Sequence, residues 1–301
     1  MIFDYQFRNY NFRALIYMIL LSVLGILVVG SASNQDRSSV IKQIIGVVVS
    51  LIICLVLSLI DYHQYFRFTT LIYVVCAGML AAVLLFGRTT KGATRWLRIG
   101  GIQIQPSEFV KIGLILILAN FLSRNREKIN EPKTLGMTAL ICVLPVGMVY
   151  LQPNLSTTIV ICFMILCMVY VAGISYKWIA GAVAVGVPGF AALIYLSLQG
   201  FIPFLQKYQA QRIMGKIFHS SSEFTDLNRQ QDNSMMAIGS GQLRGKGLFN
   251  NTLSSVKNGN FLSEEQTDFI FAVIGEELGF VGGVAVIALY ALLVYECLWI
   301  A

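Results

Sequence analysis

Eight apolar runs punctuate this chain of 301 residues, near 14–32, 41–60, 70–87, 107–122, 135–151, 155–173, 179–199 and 278–300. A helix needs about 20 apolar residues to cross a hydrocarbon core. In lipid every backbone N–H and C=O must be satisfied within the protein, so such runs specify helices rather than open strands. Composition agrees: 56% of residues are hydrophobic and 12% charged, about half the ~25% charged share of a soluble domain. The sequence predicts an all-α polytopic membrane bundle, one membrane domain over 1–301, with a long polar loop over 200–267. The first run lacks a cleavage pattern and leads into further spans, so it reads as a retained helix.

The net charge is +7, from 22 Lys and Arg against 15 Asp and Glu. In a membrane protein such an excess reflects loop topology and anionic lipid; the chain carries no nucleic-acid signature. Arg8, Arg13, Arg67, Arg124, Arg126, Lys128, Lys133 and Lys177 fall on one side of the predicted spans. Arg37, Lys42, Arg88, Lys91, Arg95 and Arg98 fall on the other in short loops. That imbalance favours a cytoplasmic N terminus. All six cysteines lie in apolar runs, without a Cys-x-x-Cys pair, and read as small hydrophobes. His63 and His219 are far apart, and no metal-ligand spacing appears.

The segment 88–106 places four cations, Arg88, Lys91, Arg95 and Arg98, on the face predicted to be outer. Topological tolerance explains them as well as an outward anion site does. Gly87, Gly92, Gly100 and Gly101 would let backbone approach a ligand, and Trp96 suits headgroup depth. In Gln105-Pro106-Ser107-Glu108-Phe109-Val110-Lys111, Pro106 suits a first helical turn. Glu108 then meets the positive end of the helix dipole, and Lys111 shares its face. Lys111 either snorkels to Glu108 or lines a polar cavity. The turn Gln152-Pro153-Asn154-Leu155-Ser156 is explained by turn chemistry alone.

Within the long loop, Ser234 to Gly241 precedes Gln242-Leu243-Arg244-Gly245-Lys246-Gly247-Leu248. The Gly-Lys step fails as a phosphate loop, because Ser240 stands where the first Gly belongs and Gly247 follows Lys246. A looser nest of N–H groups for an anion, or a flexible loop, remains. The loop ends at Asp268, a carboxylate where the chain re-enters the apolar phase. An acid at that depth has a partner or a task, or caps a turn. Residues 268–277 read as an amphipathic interfacial piece before the last span, with Glu276 and Glu277 as capping or interfacial acids.

These motifs resemble the SEDS family (shape, elongation, division and sporulation), which contains RodA, FtsW and SpoVE. The matching residues are Gly92-Ala93-Thr94-Arg95-Trp96-Leu97, Gln105 to Glu108, Gln152-Pro153, Ala237 to Gly241, Thr267 to Ala272 and Gly275 to Gly279, in family order. The resemblance implies a peptidoglycan glycosyltransferase that polymerises lipid II at the outer face of the bacterial cytoplasmic membrane. Such proteins are similar in having ten helices and a long extracytoplasmic loop, and in working with a class B penicillin-binding protein. The residue matching Asp268 is then catalytic, and those matching Trp96, Glu108 and Lys111 belong to the functional cavity. The chain departs from the family pattern at Asn154, where a carboxylate is expected, and at Ser156, Ser263 and Gln266. It also stops at Ala301, before the last two family helices, as a truncated sequence would.

Lipid II needs cations at headgroup height for its pyrophosphate, which Arg88, Lys91, Arg95 and Arg98 offer, arginine bidentately. Its acceptor hydroxyl needs a base, and Asp268 is placed to be one. An unperturbed aspartate, pKa about 3.9, is a weak base at neutral pH. Much of the rate must then come from alignment and from stabilising the leaving polyprenyl pyrophosphate. A divalent cation, Mg or Mn, is a cofactor expectation for that task, with no protein metal site assigned. Readings from other classes are a lipid-linked precursor transporter and a non-catalytic scaffold for a penicillin-binding protein.

Overall fold

The computed structural model describes residues 10–33, 36–90, 93–99, 102–152, 154–198, 225–250, 255 and 265–300. The helices run α1 Phe12–Ala32, α2 Arg37–Ser58, α3 Tyr62–Arg67, α4 Thr69–Phe86, α5 Pro106–Arg124, α6 Pro132–Leu151, α7 Leu155–Val171, α8 Tyr176–Leu198, α9 Thr225–Ser240 and α10 Ile270–Ile300. All eight expected apolar runs are helical. Among the described residues, α1, α2, α4, α5, α6 and α10 are long and apolar enough to cross a membrane, and α7 is apolar but only 17 residues long. Their outer surfaces agree: α2 has no buried residue, and Ile41, Ile45, Val48, Ile52 and Val56 are all exposed. A helix that shows aliphatic side chains in this way needs lipid around it.

The helix starts follow local chemistry. Asp36 accepts from the Ser39 hydroxyl at 2.8 Å and from the N–H groups of Ser39 and Ser38 at 3.1 and 3.3 Å. The Ser39 hydroxyl first, and then these N–H groups, hold its carboxyl below the usual aspartate range. Asn11 caps α1 by accepting from Ala14 N–H at 3.1 Å. Pro106 and Pro132 open α5 and α6, where a missing N–H costs nothing.

The chain divides into two compact units, Met1–Ile60 with Gln211–Ala301, and Asp61–Ala210. In the first, α1 lies against α10, with Val28, Ala32, Val273, Ile274 and Val286 buried between them. Polar ties mark both ends of this pair. Ser31 Oγ donates to Glu277 Oε1 at 2.6 Å. At the other end Asn11 Nδ2 donates to Glu296 Oε2 at 2.8 Å, and Arg13 Nη1 stands 3.8 Å from Glu296 Oε1.

In the second unit α4, α5, α6 and α7 enclose a core that includes Leu80, Val110, Leu114, Leu118, Cys142, Val149 and Ile161. The α4–α5 contact depends on Gly113: a Cβ there would run into Cys76 Sγ and lie 3.2 Å from Ile72 Cγ2.

The basic segment 88–106 is not a plain loop. Among the described residues it forms β1 Arg88–Thr90, β2 Ala93–Ile99 and β3 Ile102–Ile104, an antiparallel sheet in the order β1-β2-β3. Thr94, Trp96, Ile99, Ile102 and Ile104 favour strands. The runs are short and fall outside the apolar spans, so open edges are not required to sit in hydrocarbon.

Gly113→Val should overpack the α4–α5 seam and cost roughly 1–3 kcal/mol. Gly136→Val, at a position with open space around it, should leave stability near the parent. Thermal unfolding in detergent compares the two.

Candidate functional site

Asp268 stands in the turn 265–269 directly before α10, and its side chain is exposed. Its neighbour Phe269 packs on Ala237 of α9 and Ala272 of α10, both buried. Ala272 N–H donates to Phe269 O at 2.9 Å, which joins the turn to the helix.

The helix behind Asp268 is broken and mended. At Gly279 the backbone takes φ 67° and ψ −165°, a left-handed conformation natural to glycine. In an unbroken helix Phe280 N–H would donate to Glu276 O, and Val281 N–H to Glu277 O. Here Phe280 N–H donates to Gln242 O at 2.8 Å, and Val281 N–H to Leu243 O at 3.2 Å. The two released carbonyls accept from the same segment: Lys246 N–H reaches Glu276 O and Gly247 N–H reaches Glu277 O, both at 2.9 Å. Residues 242–247 thus re-satisfy these four backbone groups at the break. The close approach requires Gly245, at φ 75°, whose Cβ would collide with Glu277 O. The N–H groups of Lys246 and Gly247 are therefore committed to carbonyls, which corrects the expectation of an anion nest or a flexible loop.

The acids of this segment are buried as well. Glu276 is 2% exposed and pairs with Lys246 Nζ at 2.7 Å, with Ser255 Oγ approaching at 3.5 Å. Glu277, 1% exposed, accepts from Ser31 Oγ. Phe249 N–H points at the same place, 3.2 Å from Ser31 Oγ and 3.4 Å from Glu277 Oε2. Residues 272–277 are buried throughout. They are the first turns of α10 and not an amphipathic interfacial piece, because α9 and the 242–249 segment cover them.

The other expected site residues belong to the second unit. Glu108 and Lys111 meet, Lys111 Nζ lying 2.7 Å from Glu108 Oε2 in an i,i+3 pair at the start of α5. Arg95 and Trp96 lie half-buried on β2. Backbone positions 88 and 98 are in β1 and β2, Arg88 opposite Trp96 and Arg98 opposite Gln103. Lys91, Gly92, Gly100 and Gly101 lie outside the described residues.

Two residues read only as turn formers are buried. Gln152 is 1% exposed and donates to Leu80 O at 3.3 Å. Asn154, 3% exposed, caps α7 by accepting from Thr157 N–H at 3.4 Å. Gln152 Oε1 and Asn154 Nδ2 find no hydrogen-bond partner among the described residues. As for metals, no three His, Cys, Asp or Glu converge to hold an ion among the described residues. Among the described residues no donor set fits a protein-built cation site.

A polytopic helical membrane protein is thereby defined, with a glycine-locked broken helix beside an exposed aspartate. The chain belongs to the FtsW/RodA/SpoVE cell cycle protein family, whose sequence profile matches residues 12–301. It is 36% identical over 289 residues to the peptidoglycan glycosyltransferase MrdB of Escherichia coli K12, covering 95% of this chain and 74% of that protein. It is 29% identical to a probable peptidoglycan glycosyltransferase FtsW of Haemophilus influenzae, over 95% of this chain and 72% of the relative. A chain of a solved peptidoglycan synthase complex superposes with TM-score 0.74 at 25% identity, over 96% of this chain and 77% of its own length. RodA of Thermus thermophilus shares the fold, with TM-score 0.64 at 24% identity over 96% of this chain and 74% of that one.

Lys246→Met should remove the ammonium that pairs with buried Glu276 and cost about 3 kcal/mol. Adding Glu276→Gln should recover most of the loss. A double-mutant cycle on detergent unfolding measures the coupling.

Proposed function

We propose that the chain is a peptidoglycan glycosyltransferase that polymerises lipid II at the outer face of the cytoplasmic membrane, with its N terminus in the cytoplasm. The observation that carries the reading is Asp268, exposed at the foot of α10 in a chain whose relatives are named for this activity. Polar side chains held near a membrane boundary suit surface chemistry on a lipid-linked substrate better than passage of that substrate through the bilayer.

In the proposed reaction Asp268 accepts the proton of the acceptor sugar hydroxyl as its oxygen bonds to the donor's anomeric carbon. The bond from that carbon to the pyrophosphate oxygen breaks, with inversion, and polyprenyl pyrophosphate leaves with the electron pair. Arg88, Lys91, Arg95 and Arg98 are assigned to the pyrophosphate, whose developing charge they offset. Trp96 is assigned to the substrate at headgroup level. The Glu108–Lys111 pair is assigned to substrate positioning: neutralised by Glu108, Lys111 acts as an oriented hydrogen-bond donor more than as a free charge. The proposed partner is a class B penicillin-binding protein, which supplies crosslinking.

The anchoring of α10 gives the assignment a physical basis. General-base assistance is worth about 10²–10⁴-fold, and only when the carboxylate is held within hydrogen-bond reach of its proton. A turn seated on Phe269 and Ala272, before a helix clamped at Gly279, provides that rigidity.

Asp268→Asn should lower lipid II polymerisation by about 10²–10⁴-fold while leaving detergent unfolding and donor binding near the parent. Reconstitution in liposomes with glycan-chain analysis makes the measurement. Near-parental polymer from this variant rejects the role of Asp268, and lipid translocation without polymer favours a transporter.

A further inference from the structure

The end of the second unit where α5 finishes carries two grooves that the proposed chemistry does not use. One, of about 410 Å³, is lined by Thr69, Tyr73, Ile117, Asn120, Arg124 and Leu140 among others. The second, of about 540 Å³, lies between α5 and α7 and is lined by Ala119, Leu122, Ser123, Arg126, Met168 and Ala172 among others. Each has apolar walls and one arginine.

The side chains of Thr69, Tyr73 and Asn120 in the first groove are spent internally. Asn120 Nδ2 donates to Thr69 Oγ1 at 3.2 Å and points to Phe66 O at 3.4 Å. Tyr73 Oη donates to Ile141 O at 3.1 Å. What remains on offer is hydrocarbon wall, the Thr70 hydroxyl and a guanidinium. Arg124 and Arg126 are both exposed, and neither forms an ion pair among the described residues. Their segment is held firmly. Asn125 Nδ2 donates to Phe121 O at 2.8 Å, and Ile129 is buried. Asn130 Oδ1 accepts from Ser175 N–H at 2.6 Å, and Trp178 Nε1 donates to Asn130 O at 3.3 Å. Nearby in sequence stand Lys128 and Lys133, against Glu127 and Glu131; the balance is cationic.

We propose that this end of the second unit binds anionic glycerophospholipid, the acyl chains lying in the two grooves astride α5 and the phosphates pairing with Arg124 and Arg126. The chemistry is that of basic pockets between membrane helices: apolar tail contact below, a cation at headgroup height above. The proposal does not depend on the role of Asp268.

The test uses the full chain in mixed micelles of equal phosphatidylglycerol and phosphatidylcholine, with retained lipids counted by native mass spectrometry. Phosphatidylglycerol should be kept in preference. Arg124→Gln with Arg126→Gln should reduce that retention, by roughly fivefold per arginine. Ala119→Leu fills the second groove without touching charge and should lose its lipid, whereas Arg229→Gln, on α9, should change nothing. Equal retention of the two lipids overturns the proposal, as does unaltered retention in the groove-filling variant. Displacement of phosphatidylglycerol by glycerol phosphate at equal concentration also overturns it, since the acyl grooves would then contribute nothing. If the arginine variants fail to fold, Ala119→Leu and the glycerol phosphate competition decide the question.

Discussion

Backbone groups that cannot reach water must find partners, and the first unit is organised around one place where a helix cannot supply them. The left-handed residue Gly279 takes two N–H groups and two carbonyls out of the α10 ladder. Left bare in an apolar setting, each would cost several kcal/mol. The segment 242–247 supplies all four partners, so α9, the turn after it and α10 fold as one object. The buried carboxylates follow from the same arrangement. Glu276 and Glu277 can leave water because Lys246, Ser31 and the Phe249 N–H come with the inserted segment and with α1.

This changes how the shared motifs of the family are understood in this chain. Ala237, Gly241, Gly275, Glu276, Glu277 and Gly279 are parts of one interlock. A Cβ on Gly241 would collide with Gly275 O, and a Cβ on Gly279 with Gly245 N. Close backbone approach sets the three glycines, and buried polar partners hold the two acids. Asp268, by contrast, is exposed and outside the interlock, which suits the role proposed for it.

The spans were legible because apolar length is a one-dimensional signal, and Pro106 and the Glu108–Lys111 spacing were legible because they act within one helical turn. The interlock was not: its partners are 30 or 38 residues apart, and glycines beside Lys246 look the same in sequence whether their N–H groups meet an anion or a carbonyl. Glu276 and Glu277 looked interfacial for the same reason, since neither Lys246 nor Ser31 is near them in sequence. The sheet did leave a trace. Gly100-Gly101, between the β-favouring runs 93–99 and 102–104, has the form of a hairpin turn, though glycines that admit a ligand look the same. The burial of Gln152 and Asn154 had no such trace, because a turn sequence says nothing of what packs over it.

The polar ties between α1 and α10 have a consequence of their own. From the break at Gly279 to Glu296 is seventeen residues, about 25 Å along a helix, close to the ~30 Å of a bilayer's hydrocarbon. Sliding α1 by a single turn, about 5.4 Å, would separate both acids from Ser31, Asn11 and Arg13 together. The pair is a ruler of fixed length. A mismatched bilayer is met by tilt, kinking or local change of bilayer thickness, and with both ends tied α1 and α10 meet it together.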